Sequence, residues 1–179
     1  MNTNRKQIHI QELTKIALCV AILCISSYMV FPLPFTPIVI SLQTIMVNVI
    51  GLILRPRDAA WTIVVYLFMG LIGLPVFSAG TAGPGKLFGP TGGYYFGFLF
   101  AVIFISLLRG KQRSLTRYII VTICVGIPVQ HVAAILMMCL HNGFQIEVAF
   151  LTISLPFILG DIIKCIMASM LALALNRTL

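Results

Sequence analysis

The sequence predicts an all-α integral membrane protein, a compact bundle of six transmembrane helices with both termini on the cytoplasmic side. Three observations carry that expectation. Of the 179 residues, 60% are hydrophobic and 9% charged, with a mean hydropathy of +1.08, which is more apolar surface than one soluble core can hide. Apolar segments recur six times, each near the ~20 residues needed to cross about 30 Å of hydrocarbon. The basic residues gather at the ends of those segments and fall on one side of the membrane.

The spans read approximately as 14–31, 37–54, 59–77, 91–108, 118–140 and 149–175. Together they use nearly the whole of 1–179 as one transmembrane domain and leave no room for a soluble one. With the N-terminus inside, Arg5, Lys6, Lys15, Arg55, Arg57, Arg109, Lys111, Arg113, Arg117 and Arg177 are cytoplasmic, ten of the twelve basic residues. Lys86 alone lies in an outer connector and Lys164 alone within a span. An odd number of spans would spoil this asymmetry. The net charge of +8 is thereby explained by topology, and nucleic-acid binding is not expected.

The first run is followed by Phe31-Pro32-Leu33-Pro34 rather than by a small-residue cleavage site, so it is expected to stay as the first helix. Within it Ala17 and Ala21 form a small-xxx-small pair at cytoplasmic depth, a spacing that lets another helix approach the backbone. The second span carries Gln43, Thr44 and Asn48. Asn48 reads as interhelical glue, while Gln43 and Thr44, nearer the outer end, are candidate pocket residues. Arg55-Pro56-Arg57-Asp58 makes the next inner turn.

After the third span comes a connector rich in glycine and proline, Ser78 to Pro90. Its exposed amides and tight turns suit a lid over a cavity mouth, with Lys86 to attract an anionic group; it also reads as a long connector merely punctuated by turns. Gly89-Pro90-Thr91-Gly92-Gly93-Tyr94-Tyr95-Phe96-Gly97-Phe98 leads into the fourth span. Its small residues permit close helix contact, and its rings suit the apolar wall of a small-molecule pocket.

In the fifth span His131 and His141 have no Asp, Glu or Cys at metal-ligand spacing, so no metal site is expected. Cys19, Cys24, Cys124, Cys139 and Cys165 all fall in apolar segments without a CxxC pair and read as packing residues. The last span holds the strongest chemical signal. Asp161 and Lys164 are three residues apart and share a helix face, and each charge at membrane depth costs at least ~2.5 kcal/mol unless it faces protein, water or ligand. The pair is either a self-satisfied structural ion pair or a recognition element for a neutral polar ligand. In the second case Asp161 accepts from N–H groups and Lys164 donates to a carbonyl, which a urea-like group would satisfy. Ala168 and Ala172 repeat the small-residue pair further on.

No GxxxxGK[ST] phosphate loop, GxSxG or HExxH signature occurs, so neither ATP hydrolysis by that route nor an intramembrane enzyme is supported, and no cofactor is expected. No internal repeat argues for an inverted-repeat transporter.

Six spans at this length, the segment LPVFSAGTAGPGKLFGPTGGYYFGF and GDIIK about 60 residues later resemble the BioY family, the biotin-specific substrate-capture components of energy-coupling-factor transporters. The resemblance implies a subunit of the cell membrane, a bacterial inner membrane, that binds biotin from outside and delivers it by toppling. Its partners would be a transmembrane coupling protein and two ATPases. The acidic and basic residues of the family's final helix contact the ureido ring and map onto Asp161 and Lys164. Lys86 is the basic residue available for the valerate carboxylate, with Thr81, Thr91 or loop amides as the other candidates. Ala17-Leu18-Cys19-Val20-Ala21 resembles the AxxxA pattern by which such subunits dock on the coupling protein. Another small vitamin-like cargo, or an enzyme using Asp161 as acid or base, are the competing expectations.

Overall fold

The computed structural model describes residues 3–31, 40–143 and 145–178. They form α1 (Thr3–Ser26), β1 (Val30–Phe31), β2 (Ile40–Ser41), α2 (Gln43–Ile53), α3 (Pro56–Leu71), α4 (Pro84–Leu87), α5 (Gly93–Leu108), α6 (Leu115–Val121), α7 (Ile127–Asn142), α8 (Ile146–Ala149) and α9 (Leu155–Thr178). π-helical turns at Thr122–Gly126 and Phe150–Ser154 join α6 to α7 and α8 to α9, so six helical rods are built. The outside of the bundle is apolar: Leu13, Leu18, Trp61, Phe68, Phe100, Leu107, Leu159, Ile163 and Met170 are exposed, and Leu140 reaches 83%. A surface of that kind requires lipid rather than water.

Helices lie over the six apolar segments, with ends that differ from the expected ones. Helix α1 stops at Ser26, where Ser27 and Tyr28 turn back on the carbonyls of Cys24 and Ile25. The chain then enters an antiparallel ribbon that pairs Val30 with Ser41 and Phe31 with Ile40. The expected helix over 37–54 therefore begins only at Gln43; Pro32, Leu33, Pro34 and Pro37, expected in the first connector, lie outside the described residues. Helix α3 starts with Pro56 at its first position and Asp58 in its first turn, both suited to the free N–H groups and positive end of a helix dipole. It ends at Leu71 rather than 77, because Gly73 turns with φ +102° and Pro75 has no N–H to continue the ladder. The connector after it contains a 3₁₀ turn at Ser78–Gly80 and the single-turn α4.

The two longest rods read through their prolines. Pro128 and Pro156 each stand two residues after the end of a π turn. Proline inside a helix lacks the N–H for the i−4 carbonyl and its ring crowds that carbonyl; a widened preceding turn relieves both. Helix α7 closes on Gly143 at φ +65°, whose N–H bonds to Cys139 O at 3.0 Å.

The packing places α5 at the centre, against α2, α3 and α7, with α9 across α2. One core cluster joins Leu23, Val47, Ile50, Tyr66, Phe77, Tyr95 and Val102. A second, nearer the cytoplasmic helix ends, joins Leu52, Ala101, Ile105, Tyr118 and Ala172. α5 meets α7 closely because Gly93 and Gly97 have no side chain there: a Cβ would stand 2.3 Å from Ala133 O at Gly93 and 2.9 Å from Gln130 Cα at Gly97.

Candidate functional site

A cavity of about 290 Å³ is lined by residues of α2, α4, α5 and α9, with the segment around Ser78 and Ser41 of β2. It sits at the lower end of the ~300–1,000 Å³ common for small-molecule sites. Asp161, Lys164, Lys86, Tyr94, Thr91, Gln43, Thr44 and Thr81 all line it, although the sequence scatters them over 120 residues. Tyr95, Phe98 and Phe157 add aromatic wall.

Asp161 and Lys164 form the ion pair that their spacing implies, Lys164 Nζ donating to Asp161 Oδ1 at 2.9 Å. Lys164 is 7% exposed. A charge so placed stays because a partner compensates it. The other carboxylate oxygen, Oδ2, lies 3.0 Å from His131 Nε2, and His131 Nδ1 lies 3.0 Å from Ser154 Oγ. Reading the sequence for metal-ligand spacing missed this contact, since His131 and Asp161 stand 30 residues apart. A detectable signal existed: an imidazole inside an apolar span needs a polar partner, and spans also present Asp161. Among the described residues no group of three His, Cys, Asp or Glu is placed to hold a metal ion, and His141 is exposed at the end of α7.

Gln43 is fully buried and spends its amide on protein. Nε2 donates to Tyr66 Oη at 2.6 Å, and Oε1 accepts from Ser78 Oγ at 2.7 Å and Ser41 Oγ at 3.3 Å. It is a cavity-lining residue that ties the Ser78 segment to α2. That segment is further pinned: Ser78 N–H donates to Tyr95 Oη at 3.1 Å, Ala79 N–H to Ser27 O at 3.0 Å, and Phe77 N–H to Thr81 O at 2.9 Å. Phe77 is wedged between the rings of Tyr66 and Tyr95 at 5.7 and 4.5 Å. Behind it Gly70 leaves room for the ring, since a Cβ there would come within 2.1 Å of Phe77 Cζ. The glycine-rich connector is thus an anchored wall of the cavity.

Lys86, half-buried on α4, has no carboxylate within ion-pair distance among the described residues. Thr91 is likewise half-buried. Asn48 stays in the bundle interior, 2% exposed, with Nδ2 donating to Cys165 Sγ at 3.4 Å. Cys19 and Cys165 are buried, Cys24 and Cys139 partly so, and Cys124 is exposed; all five are free thiols. The two alanine pairs separate cleanly. Ala168 and Ala172 are buried against α2 and the second core cluster, while Ala17 and Ala21 are exposed on α1 beside the exposed Leu18 and Ile22.

Fold and site define a small polytopic membrane protein whose helices enclose a cavity with a charged wall and an aromatic one. The chain matches the model of the BioY family over residues 1–179, and it belongs to that family. It is 35% identical over 170 residues to the biotin transporter BioY2 of Lactococcus lactis subsp. cremoris, covering 94% of this chain and 91% of the relative. It is 30% identical to the biotin transporter BioY of Thermotoga maritima, covering 93% and 96%. A solved structure, the S-component for biotin from an ECF-type ABC transporter, superposes with a TM-score of 0.85 at 26% identity, covering 99% of this chain and 95% of that one.

Proposed function

We propose that this chain is the biotin-capturing membrane subunit of an energy-coupling-factor transporter, a transport protein and not an enzyme, working in the cell membrane with a coupling protein and two ATPases. It is one transmembrane domain over residues 1–179. The observation that carries the reading is the Asp161–Lys164 pair on the wall of the same cavity as Lys86. A cyclic urea supplies N–H donors for the carboxylate and a carbonyl for the ammonium, so it suits both partners at once. The valerate carboxylate is assigned to Lys86, whose ammonium has no acidic partner of its own among the described residues, with Thr91 beside it as a hydrogen-bond donor. Tyr94 packs against the ligand, and Gln43 holds the wall segment that carries Ser78. Ala17 and Ala21 are assigned to docking on the coupling protein, which their exposure supports and the burial of Ala168 and Ala172 reserves to α1.

Equilibrium binding of biotin to the purified chain tests the assignment. Saturable binding is expected, with Asp161→Asn weakening it by tenfold or more, about the value of one hydrogen bond to a charged group. Lys86→Ala should weaken biotin but leave biotin methyl ester unchanged. A folded wild-type chain that does not retain biotin would reject the assignment.

A further inference from the structure

His131 ties three other segments together at a point directly behind the cavity. The residue is 6% exposed. Nε2 faces Asp161 Oδ2 on α9, Nδ1 faces Ser154 Oγ in the π turn before α9, and Tyr94 Oη on α5 lies 3.5 Å from Nδ1 with the two rings edge to face at 5.7 Å. An ionised carboxylate can only accept, so the hydrogen between His131 and Asp161 belongs to Nε2. In the neutral ring Nδ1 is then an acceptor with one lone pair, which faces the Ser154 hydroxyl at 3.0 Å, with the Tyr94 hydroxyl beside it at 3.5 Å. Lys164 holds Oδ1. Each carboxylate oxygen therefore takes one protein donor and has a further lone pair to offer, on a carboxylate that lines the cavity.

We propose that His131 is a positioning residue of the ligand site: with its hydrogen on Nε2 and Nδ1 capped by Ser154, it aims the Asp161 carboxylate at the N–H groups of the ligand. The proposal rests on the reading of Asp161 as the group that receives the ureido N–H donors. It makes recognition depend on a residue that does not line the cavity, and it gives the π turn before Pro156 a role, because that turn carries Ser154.

The test uses the purified full-length chain with biotin and biotin methyl ester, and three proteins: wild type, His131→Phe and His131→Gln. Phenylalanine keeps the ring's bulk and removes both nitrogens, while glutamine returns an N–H at about the reach of Nε2. His131→Phe is expected to weaken biotin by about tenfold to a hundredfold, the range for a hydrogen bond to a charged group. The same factor is expected for the methyl ester, which differs only at the other end, and His131→Gln should recover most of the loss. The chain has three histidines, His9, His131 and His141, so ¹⁵N-histidine NMR of the wild type can assign the buried ring. The expected signature is a protonated Nε2 and a bare Nδ1. Wild-type affinity in a folded His131→Phe, a penalty that changes with the methyl ester, or a hydrogen on Nδ1 would each overturn the proposal. If the wild type binds no biotin, the functional reading fails, and the NMR signature still decides the His131 arrangement on its own.

Discussion

Asp161 and Lys164 are legible as a pair from their spacing alone, and their burial sets what substitution does to them. Removing one partner leaves a buried charge uncompensated, a loss of about 3–5 kcal/mol, whereas replacing both with neutral residues removes the conflict. Asp161→Asn and Lys164→Met alone should each lower the melting temperature. The double variant should melt closer to the wild type and still fail to bind biotin, which separates stability from recognition; thermal unfolding read beside binding checks it. Gln43 poses the opposite case. Its amide is committed to Tyr66 and Ser78, so Gln43→Leu keeps the volume but takes the amide donor from a buried phenol and the acceptor from the Ser78 hydroxyl. A loss of about 1–3 kcal/mol in stability is expected, together with weaker binding through the displaced Ser78 segment. Reading polarity along the second span identified Gln43 as a pocket residue, but no local pattern tells whether an amide faces a ligand or a neighbouring helix.

Among the elements, α5 and α7 set the site's geometry through glycine. Gly97 touches the backbone at Gln130, next to His131, so widening this contact moves the imidazole away from Asp161. Gly97→Ala should cost roughly 1–3 kcal/mol as an overpacking change and reduce biotin affinity more than its distance from the cavity suggests, measurable by unfolding and binding together. Helix α1 behaves differently because Ala17 and Ala21 are exposed. Ala17→Trp should leave biotin binding by the purified subunit unchanged and abolish uptake by cells that supply the coupling protein and ATPases. Loss of binding by the isolated subunit would instead mean that α1 packs within the chain. The small-xxx-small pattern was visible twice in the sequence with equal strength, and only the fold tells the exposed pair from the buried one.

For the molecule as a whole, the charge asymmetry and the apolar exterior describe the same object. The loop with Arg109, Lys111, Arg113 and Arg117 and the turn with Arg55 and Arg57 lie at one end of the bundle, and Lys86 lies at the other. A cysteine introduced at Gly85 should react with a membrane-impermeant thiol reagent on intact cells, while one at Gln112 should react only after the membrane is opened. Labelling of both from outside would reverse or break the six-span topology. The five native cysteines sit in apolar segments and provide a low background for the comparison.

Composition, segment length and the distribution of Lys and Arg determined the membrane bundle, its orientation and the presence of a buried ion pair, because these follow from transfer costs that each residue meets independently of the others. The motifs from Leu74 to Phe98 and from Gly160 to Lys164 likewise determined the family. Tertiary structure decided the rest. It ended α3 six residues early to bring Phe77 between Tyr66 and Tyr95, turned the ends of the first two spans into a ribbon, and set His131 and Ser154 behind Asp161. Those contacts join residues far apart in the chain, and the geometry that joins them comes from helices approaching over glycine and widening before proline, which no single segment specifies.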